Sequence, residues 1–399
     1  QGGQIRIIAT DKARIGGTLK ANAPKTGGKG GAISIKANDV VIDGAARLSA
    51  NGEVEGGGGT IEAVAVDSLL VEDGALFSAR GAGSGMGGFV ELSGKLAQIG
   101  AVHVDLGSDT GKAGKLLIDP YDLILGPTAG PGVTGPVTSD GGDIELDADH
   151  SITVASGGLI DSTDVNGNGG DIELDAPLIT VADGARIIAW KTGGTTTGTV
   201  TLRAERSDNG DVAIVIGDTT RGGTAPIIPG GDIHLIATAE AAPPAFDPIS
   251  LLLAQPVAHA DITINKGTIT AHNGAFTAEA TATADAGTNL LPIGIVLTDV
   301  RSTVNLLGGS VTAGSATLTA TSTVVSEIAT QSLAPPNTAA DGAVAVSTID
   351  STAKVEIGGT AQLDIGGDLT LSASNDITSE LAAIPQSAPF GASVAVSVI

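Results

Sequence analysis

A short apolar pattern recurs along the first half of the chain. Two glycines are followed by aliphatic residues at alternate positions, as in Ile33 and Ile35 after Gly30-Gly31. The second glycines of the first three units, Gly3, Gly31 and Gly59, are 28 residues apart (31 − 3 and 59 − 31). Period-two alternation puts both aliphatic side chains on one face of a strand, and the glycines supply a corner. The predicted core pairs are Ile5/Ile7, Ile33/Ile35, Ile61/Ala63, Val90/Leu92, Leu116/Ile118, Ile144/Leu146, Ile172/Leu174, Val200/Leu202 and Ile233/Leu235.

Each unit contains two further strand-like stretches. In the second unit, Val40-Val41-Ile42 is followed by a turn at Asp43-Gly44 and then by Leu48-Ser49-Ala50. Self-similarity at such a fixed period is typical of solenoids, in which each repeat buries its apolar residues against its neighbours. The pattern predicts an all-β fold, a right-handed parallel β-helix with three strands and about 28 residues per coil. A leucine-rich-repeat horseshoe is disfavoured because its Leu and Asn signatures are missing.

The period changes in the second half of the chain. We expect regular coils over residues 1–240, a Pro/Ala-rich insertion loop or short helix over 241–260, and a continued β-helix with longer Thr/Ala/Val-rich units over 261–399. Val344-Ala345-Val346-Ser347 returns as Val394-Ala395-Val396-Ser397, and we expect each longer unit to hold two coils. Proline cannot donate to a strand ladder, so Leu333–Asn337 and Ile384–Phe390 are predicted to project as loops from one edge.

Composition narrows the possible functions. Aromatic residues make up 2% of the chain, so the predicted core is thin and aliphatic. The formal net charge of −24 opposes binding to nucleic acid or to anionic lipid surfaces. The chain has no cysteine, which suits an extracellular bacterial protein, and we find no apolar run long enough to span a membrane. We also expect this sequence to be part of a longer chain.

One segment and the repeats around it resemble a known class of exoprotein. Gly114-Lys115-Leu116-Leu117-Ile118-Asp119-Pro120 follows a run of Gly-Gly coils, as in the filamentous haemagglutinin-type proteins of two-partner secretion. The Thr/Ala/Val-rich units from Asp261 onward are similar to the tandem repeats of very large bacterial adhesins. The resemblance implies a secreted β-helical fibre on the bacterial cell surface, exported through an outer-membrane transporter and active in adhesion, aggregation or biofilm formation.

One turn matches a calcium-binding pattern. Asp164, Asn166, Asn168 and Asp175 stand at positions 1, 3, 5 and 12 of a calcium-loop template. The usual glutamate at position 12 and the flanking helices are missing, and Gly169-Gly170 already begins a coil. The segment is therefore either a calcium site or an ordinary Asn/Gly turn.

Carboxylates also suggest a possible enzyme. Parallel β-helices include polysaccharide lyases and hydrolases, and Asp119, Asp122 and the stacked pair Asp143 and Asp171 could supply a cleft with acid and base groups. The same stacking occurs in a solvated surface ladder. The low aromatic content disfavours a sugar-binding cleft, so we predict no enzymatic activity. The glycine pattern of Gly83, Gly85 and Gly88 precedes a strand and is interpreted as a corner, not as a dinucleotide site.

Three functional hypotheses remain open from the sequence. The first is a surface adhesin or fibre stalk whose partners are cell-surface or matrix glycans or proteins. The second is an architectural filament subunit that associates with its own kind. The third is a carbohydrate-active β-helix enzyme. No cofactor is expected apart from the possible calcium ion.

Overall fold

The computed structural model describes residues 2–25, 27–126, 132–218, 223–241, 253–289, 292–332, 341–384 and 391–399. All regular elements of these residues are β-strands, and none of them forms a helix able to cross a membrane. The strands of the first half are β1 Gln4–Ile8, β2 Lys12–Ile15, β3 Thr18–Lys20, β4 Ala32–Ile42, β5 Arg47–Ser49, β6 Thr60–Val71, β7 Leu76–Ser78, β8 Phe89–Ser93, β9 Leu96–Ile99, β10 His103–Asp105, β11 Lys115–Asp119, β12 Asp122–Leu125, β13 Gly132–Val133, β14 Val137–Thr138, β15 Asp143–Asp147, β16 Ser151–Val154, β17 Leu159–Asp161, β18 Ile172–Asp175, β19 Leu178–Val181, β20 Arg186–Ile188, β21 Val200–Arg206 and β22 Gly210–Ile216. Those of the second half are β23 Ile227–Gly230, β24 Ile233–Ala241, β25 Leu253–Ala254, β26 Val257–Ile264, β27 Thr268–Ala271, β28 Ala275–Asn289, β29 Ile293–Leu306, β30 Ser310–Ala313, β31 Ser315–Gln331, β32 Asp341–Ile357, β33 Gln362–Ile365, β34 Leu369–Ile384 and β35 Gly391–Val398.

Every strand-to-strand ladder is parallel and joins a strand to its counterpart in a neighbouring coil, so the chain is a parallel β-helix. The first face contains β1, β4, β6, β8, β11, β15, β18, β21, β24, β28, β31 and β34. The second face runs from β2 through the later parts of β4 and β6 to β9, β13, β12, β16, β19, β22, β26, β29, β32 and β35. The third face consists of the short strands β3, β5, β7 and β10, followed by β14, β17, β20, β23, β27, β30 and β33.

The predicted register is confirmed in the first half. Ile5 lies opposite Ile33, and Ile33 lies opposite Ile61, which reproduces the spacing of the glycine pairs. The column continues to Ile233 and then to Phe276, one of the largest fully buried side chains. The inward residues form one continuous hydrophobic core along the rod.

The glycine corners are required by close contact between coils. A Cβ atom at Gly59 would lie 2.0 Å from the carbonyl oxygen of Gly31, and one at Gly31 would lie 1.9 Å from that of Gly3. Any side chain at these positions would push the coils apart and break the ladder that begins directly after each corner. Glycine is therefore needed here for space and not only for flexibility.

The longer units of the second half are single coils, so the expectation of two coils per unit is wrong. Phe276 lies opposite Ala316 and Ala316 opposite Leu369, which makes these coils 40 (316 − 276) and 53 (369 − 316) residues long. The additional residues lengthen the strands, since β28, β31 and β34 contain 15, 17 and 16 residues. The predicted match between Val344 and Val394 is confirmed as a pairing of adjacent coils.

These long strands form an extension, here called the wing, which consists of β28, β29, β31, β32, β34 and β35. Its inward side chains include a run of small residues: Ala278, Ala280 and Ala282 on the first face are fully buried, and Ser302 on the second face is as well. The predicted insertion begins where β24 ends at Ala241, and residues 242–252 lie outside the described residues. Val257–Ile264 already belongs to a strand paired with β22 and β29, so the coil resumes before residue 260. The projecting loops predicted at residues 333–337 and 385–390 also lie outside the described residues.

Substituting Gly59 by alanine tests the close approach of the coils. The added methyl group would overlap the Gly31 carbonyl, so we expect the free energy of unfolding to fall by about 3 kcal/mol or more. Gly3→Ala is the matched control, because a Cβ atom there meets no atom within 4 Å. Urea denaturation followed by circular dichroism measures both variants, and equal effects would contradict the assigned role of the corner.

Candidate functional site

The four residues of the calcium hypothesis do not converge in the structure. Asp164 and Asn168 lie in one turn, where Asp164 Oδ1 accepts hydrogen bonds from the backbone N–H groups of Asn166 (2.8 Å) and Asn168 (2.9 Å). Asn168 Oδ1 in turn accepts the backbone N–H of Thr195 in the next coil at 2.8 Å. Asp175 stands at the end of β18 on the first face, where its contact is Arg203. The turn is thus held by its own hydrogen bonds and by those that Asn168 Oδ1 accepts from Thr195 and Thr196 of the next coil.

Those hydrogen bonds also favour the charged form of the turn's carboxylate. Burial alone would raise the pKa of Asp164, but hydrogen bonds from Asn168 and Asn166 outweigh it and lower the pKa. Among the described residues, no group of three or more histidine, aspartate or glutamate side chains is arranged to hold a metal ion. Calcium binding therefore stays a prediction, and the hydrogen-bonded turn is a sufficient reason for the Asp and Asn residues.

The stacked carboxylates Asp143 and Asp171 act as caps between coils. Asp143 Oδ1 accepts the backbone N–H of Asp171 at 3.0 Å, and Asp171 Oδ1 accepts that of Thr199 at 2.8 Å. Lys112 Nζ lies 3.1 Å from Asp143 and relieves the repulsion between the two acids. Each carboxylate thus accepts a hydrogen bond that links one coil to the next. The sequence did not reveal this role because the donor is 28 residues away.

A second acidic column lies on the outer surface of the first face, where burial and neighbouring acids outweigh the few hydrogen bonds and ion pairs that its carboxylates make. This acidic column consists of Asp119, Asp147 and Asp175, and Asp147 lies directly opposite Asp175. Burial, and then the negative charges of neighbouring acids, raise the pKa of all three carboxyl groups. The pKa of Asp175 rises to about 6, because the Arg203 guanidinium, 3.7 Å away, only partly offsets burial and Asp147.

A pair of stacked rings, Tyr121 and His150, adjoins the acidic column and is here called the aromatic corner. Tyr121, the only tyrosine, is 45% exposed and stacks on His150 of the next coil, with ring centroids 5.5 Å apart and an angle of 11° between the planes. His150 Nδ1 lies 2.7 Å from Asp122 Oδ1, which also accepts the Ser151 hydroxyl at 2.5 Å. Burial would raise the pKa of Asp122, but the hydrogen bonds from Ser151 and His150 lower it. The Tyr121 ring therefore packs on an imidazole that is itself held by Asp122.

A shallow groove runs past this corner. Its polar lining comprises Ser93, Lys95, Asp119, Tyr121 and Asp149. An aromatic ring, carboxylates and an ammonium group in one groove can together bind a polar molecule that has an apolar face, such as a sugar ring. Of the proposed enzyme residues, the structure thus brings Asp119 and Asp122 to one corner and assigns Asp143 and Asp171 to capping.

Three of the other four histidines also make individual side-chain contacts. His259 lies between Asp211 (2.8 Å) and Asp299 (3.1 Å) of the two neighbouring coils, and His272 stacks on Trp190 at 3.9 Å. His103 lies 3.9 Å from Asp140. Sequence analysis missed these pairs because each partner comes from another coil, although the repeat register could have matched Tyr121 with His150.

Comparisons of the chain with protein-family models, with curated proteins and with solved structures found no match. The haemagglutinin-type resemblance therefore remains an expectation from the sequence.

Replacing Asp164 by alanine distinguishes a capped turn from a calcium site. Loss of the cap should cost about 1 kcal/mol of stability, equally in calcium and in a chelator. Asn166→Ala should be nearly neutral, because its side chain only approaches Asp164 at 3.5 Å. Thermal unfolding measures both; a calcium-dependent rise in the melting temperature that either variant abolishes would establish the calcium site instead.

The acidic column predicts an unusual dependence of stability on pH. The pKa of Asp175 is about 6 in the folded chain and near 3.8 when unfolded, so the destabilisation caused by its ionisation develops between these two pH values and is complete above about pH 6. The free energy of unfolding should therefore rise as the pH falls from about 7 to about 5. Because the side chain is 38% exposed, we expect Asp175→Asn to stabilise the fold at pH 7 by only about 1 kcal/mol and to flatten this slope.

Asp208→Asn is the matched control for the pH experiment. A hydrogen bond from Arg206 lowers the pKa of Asp208, so that carboxyl group does not titrate between pH 5 and 7 in either state. Its variant should retain the wild-type slope. An unchanged slope in Asp175→Asn would contradict the raised pKa.

Proposed function

We propose that the chain is the rod of an extracellular bacterial surface adhesin, and that it binds cell-surface or matrix glycans. The observation that supports this proposal best is the unbroken parallel ladder, which repeats outward side chains in columns along a rigid support. A first face of twelve stacked strands corresponds to a rod about 50 Å long. Weak contacts that recur along such a rod add up to firm attachment when several are engaged together.

The aromatic corner is the proposed contact for sugar. The exposed ring of Tyr121 offers an apolar surface to the C–H face of a sugar, and the carboxylates of Asp119 and Asp149 can accept hydrogen bonds from its hydroxyl groups. The stack on His150 holds the ring in place before binding, which reduces the entropy lost on association. Secretion and display on the cell surface are part of this proposal and rest on the sequence resemblance.

A carbohydrate-active enzyme is the second candidate, and one observation favours it. Asp175, with a pKa raised to about 6, lies opposite Asp147 on the outer surface of the first face. A carboxyl group that is protonated near neutral pH beside an ionised one is the arrangement used in general acid and base catalysis of glycoside cleavage. Release of new sugar ends that disappears in Asp175→Asn would support this candidate over the adhesin.

Tyr121→Ala tests the adhesin proposal. Loss of the ring should weaken retention of the chain on glycan-bearing cells or immobilised polysaccharides about tenfold, because one aromatic contact contributes roughly 1 to 2 kcal/mol. Met86→Ala is the control, since Met86 is also an exposed apolar residue (62%) but lies away from the groove at the corner. Equal retention of wild type and Tyr121→Ala would remove the aromatic corner from the proposal.

A further inference from the structure

The two outer surfaces of the wing differ in chemistry. On the first face, the outward residues of β28, β31 and β34 are mainly threonine and serine, with acids at Glu279, Glu327 and Glu380. On the second face, the outward residues of β29, β32 and β35 near the strand ends at 293, 344 and 394 are almost all aliphatic. Both surfaces belong to the same two-layered extension, so the difference does not follow from the fold.

The aliphatic residues form a regular array, here called the apolar patch. Ile293 lies opposite Val344, which lies opposite Val394, and the next two rows repeat this arrangement. The array consists of Thr348 and eight aliphatic residues: Ile293, Ile295, Leu297, Val344, Val346, Val394, Val396 and Val398.

The apolar patch is open to solvent in the isolated chain. Ile293 is 43% exposed and Leu297 38%, although their strand β29 has a paired strand on each side. Val394, Val396 and Val398 continue the same outward rows in β35. The outward side of an antiparallel or solenoid sheet in water is normally polar, and contiguous apolar surfaces of this kind mark sites of association. The inward neighbours, such as Val296 and Ala345, fill the wing core, so the outward residues are not needed for that packing.

Charges around the apolar patch favour another copy of the same chain as its partner. The outward surface of the first face of the wing has five acids, Glu279, Asp285, Glu327, Asp376 and Glu380, and no lysine or arginine among its described residues. On the second face, the outward acids Asp299, Asp350 and Glu356 are accompanied by two basic residues, Arg301, which pairs with Asp261 at 2.5 Å, and Lys354, which pairs with Glu356. This surface is therefore less negative than the first face. Two copies of a chain with net charge −24 therefore repel each other least when these surfaces meet.

The size of the surface sets the expected strength of this contact. Nine positions on a strand lattice cover about 300 Å², and the adjoining rows with Asp299, Arg301 and Lys354 bring the area to about 600 Å² per copy. Specific interfaces usually bury about 800 Å² per partner, so the pairing should be reversible and dependent on concentration.

We propose that two copies of this chain pair face to face through the apolar patch, as the second faces of their wings pack against each other. The arrangement is a sandwich of two sheets about 10 Å apart, in which the aliphatic side chains interdigitate. A twofold axis presents the same patch on both copies, so a single surface is sufficient. The pairing joins rods side by side and does not depend on the glycan-binding proposal.

Analytical ultracentrifugation of the complete chain tests this pairing. The variant Ile295→Asp/Val396→Asp places two charges within the patch at outward positions that are two coils apart and therefore not directly opposite each other. The control Thr319→Asp/Thr321→Asp adds the same charge at outward positions of β31 on the opposite surface. We expect wild type and control to approach twice the chain mass as concentration rises, and the patch variant to remain at the mass of one chain.

Two results would overturn the proposal. One is a wild-type chain that stays monomeric throughout the concentration series, which would assign the patch to a different occupant. The other is equal association of wild type and patch variant, which would place the contact elsewhere, for example at the ends of the rods. Circular dichroism of both variants establishes that they are folded.

Discussion

The ladder of hydrogen bonds between successive coils is the constraint on which the rest of the molecule depends. Because parallel strands lie about 4.8 Å apart, every residue is fixed directly over its counterpart in the next coil. Inward columns such as Ile33, Ile61 and Val90 then fill the core mainly with aliphatic side chains. The same spacing forces the corners together, so closely that Gly31 and Gly59 have no room for a Cβ atom.

The ladder also places like charges directly over one another, and their repulsion has two different outcomes in this structure. At the corners, a carboxylate such as Asp143 or Asp171 accepts a backbone N–H from the following coil, so its charge is compensated by the ladder itself. On the first face, Asp119, Asp147 and Asp175 form a column in which burial and mutual repulsion raise the pKa values. The uncompensated column lies beside the aromatic corner, which is why this part of the rod is the best candidate for binding.

The repeat in the sequence predicted most of the fold but few of the contacts at the candidate site. Gly-Gly spacing and alternation predicted the register of the first half, because each signal is local and recurs in every coil. The lengths of β28, β31 and β34 were not predictable, since alternating Ala and Thr continue equally well in one long strand or two short ones. The stack of Tyr121 on His150 and the capping by Asp171 depend on which residues face each other across coils, which becomes visible only when the register is applied to single side chains.

Cross-linking of introduced cysteines tests the register most directly, because the native chain has none. Thr153 and Thr180 are outward residues that lie opposite each other in adjacent coils, and Ile124 lies opposite Thr153 one coil earlier. Adjacent strands bring two Cα atoms within the range of a disulfide, whereas residues two coils apart are about 10 Å from each other. The stacked-coil account predicts that Thr153→Cys/Thr180→Cys forms an intramolecular disulfide in the folded chain and that Ile124→Cys/Thr180→Cys does not. Equal formation in both pairs, or formation only in the second, would contradict it.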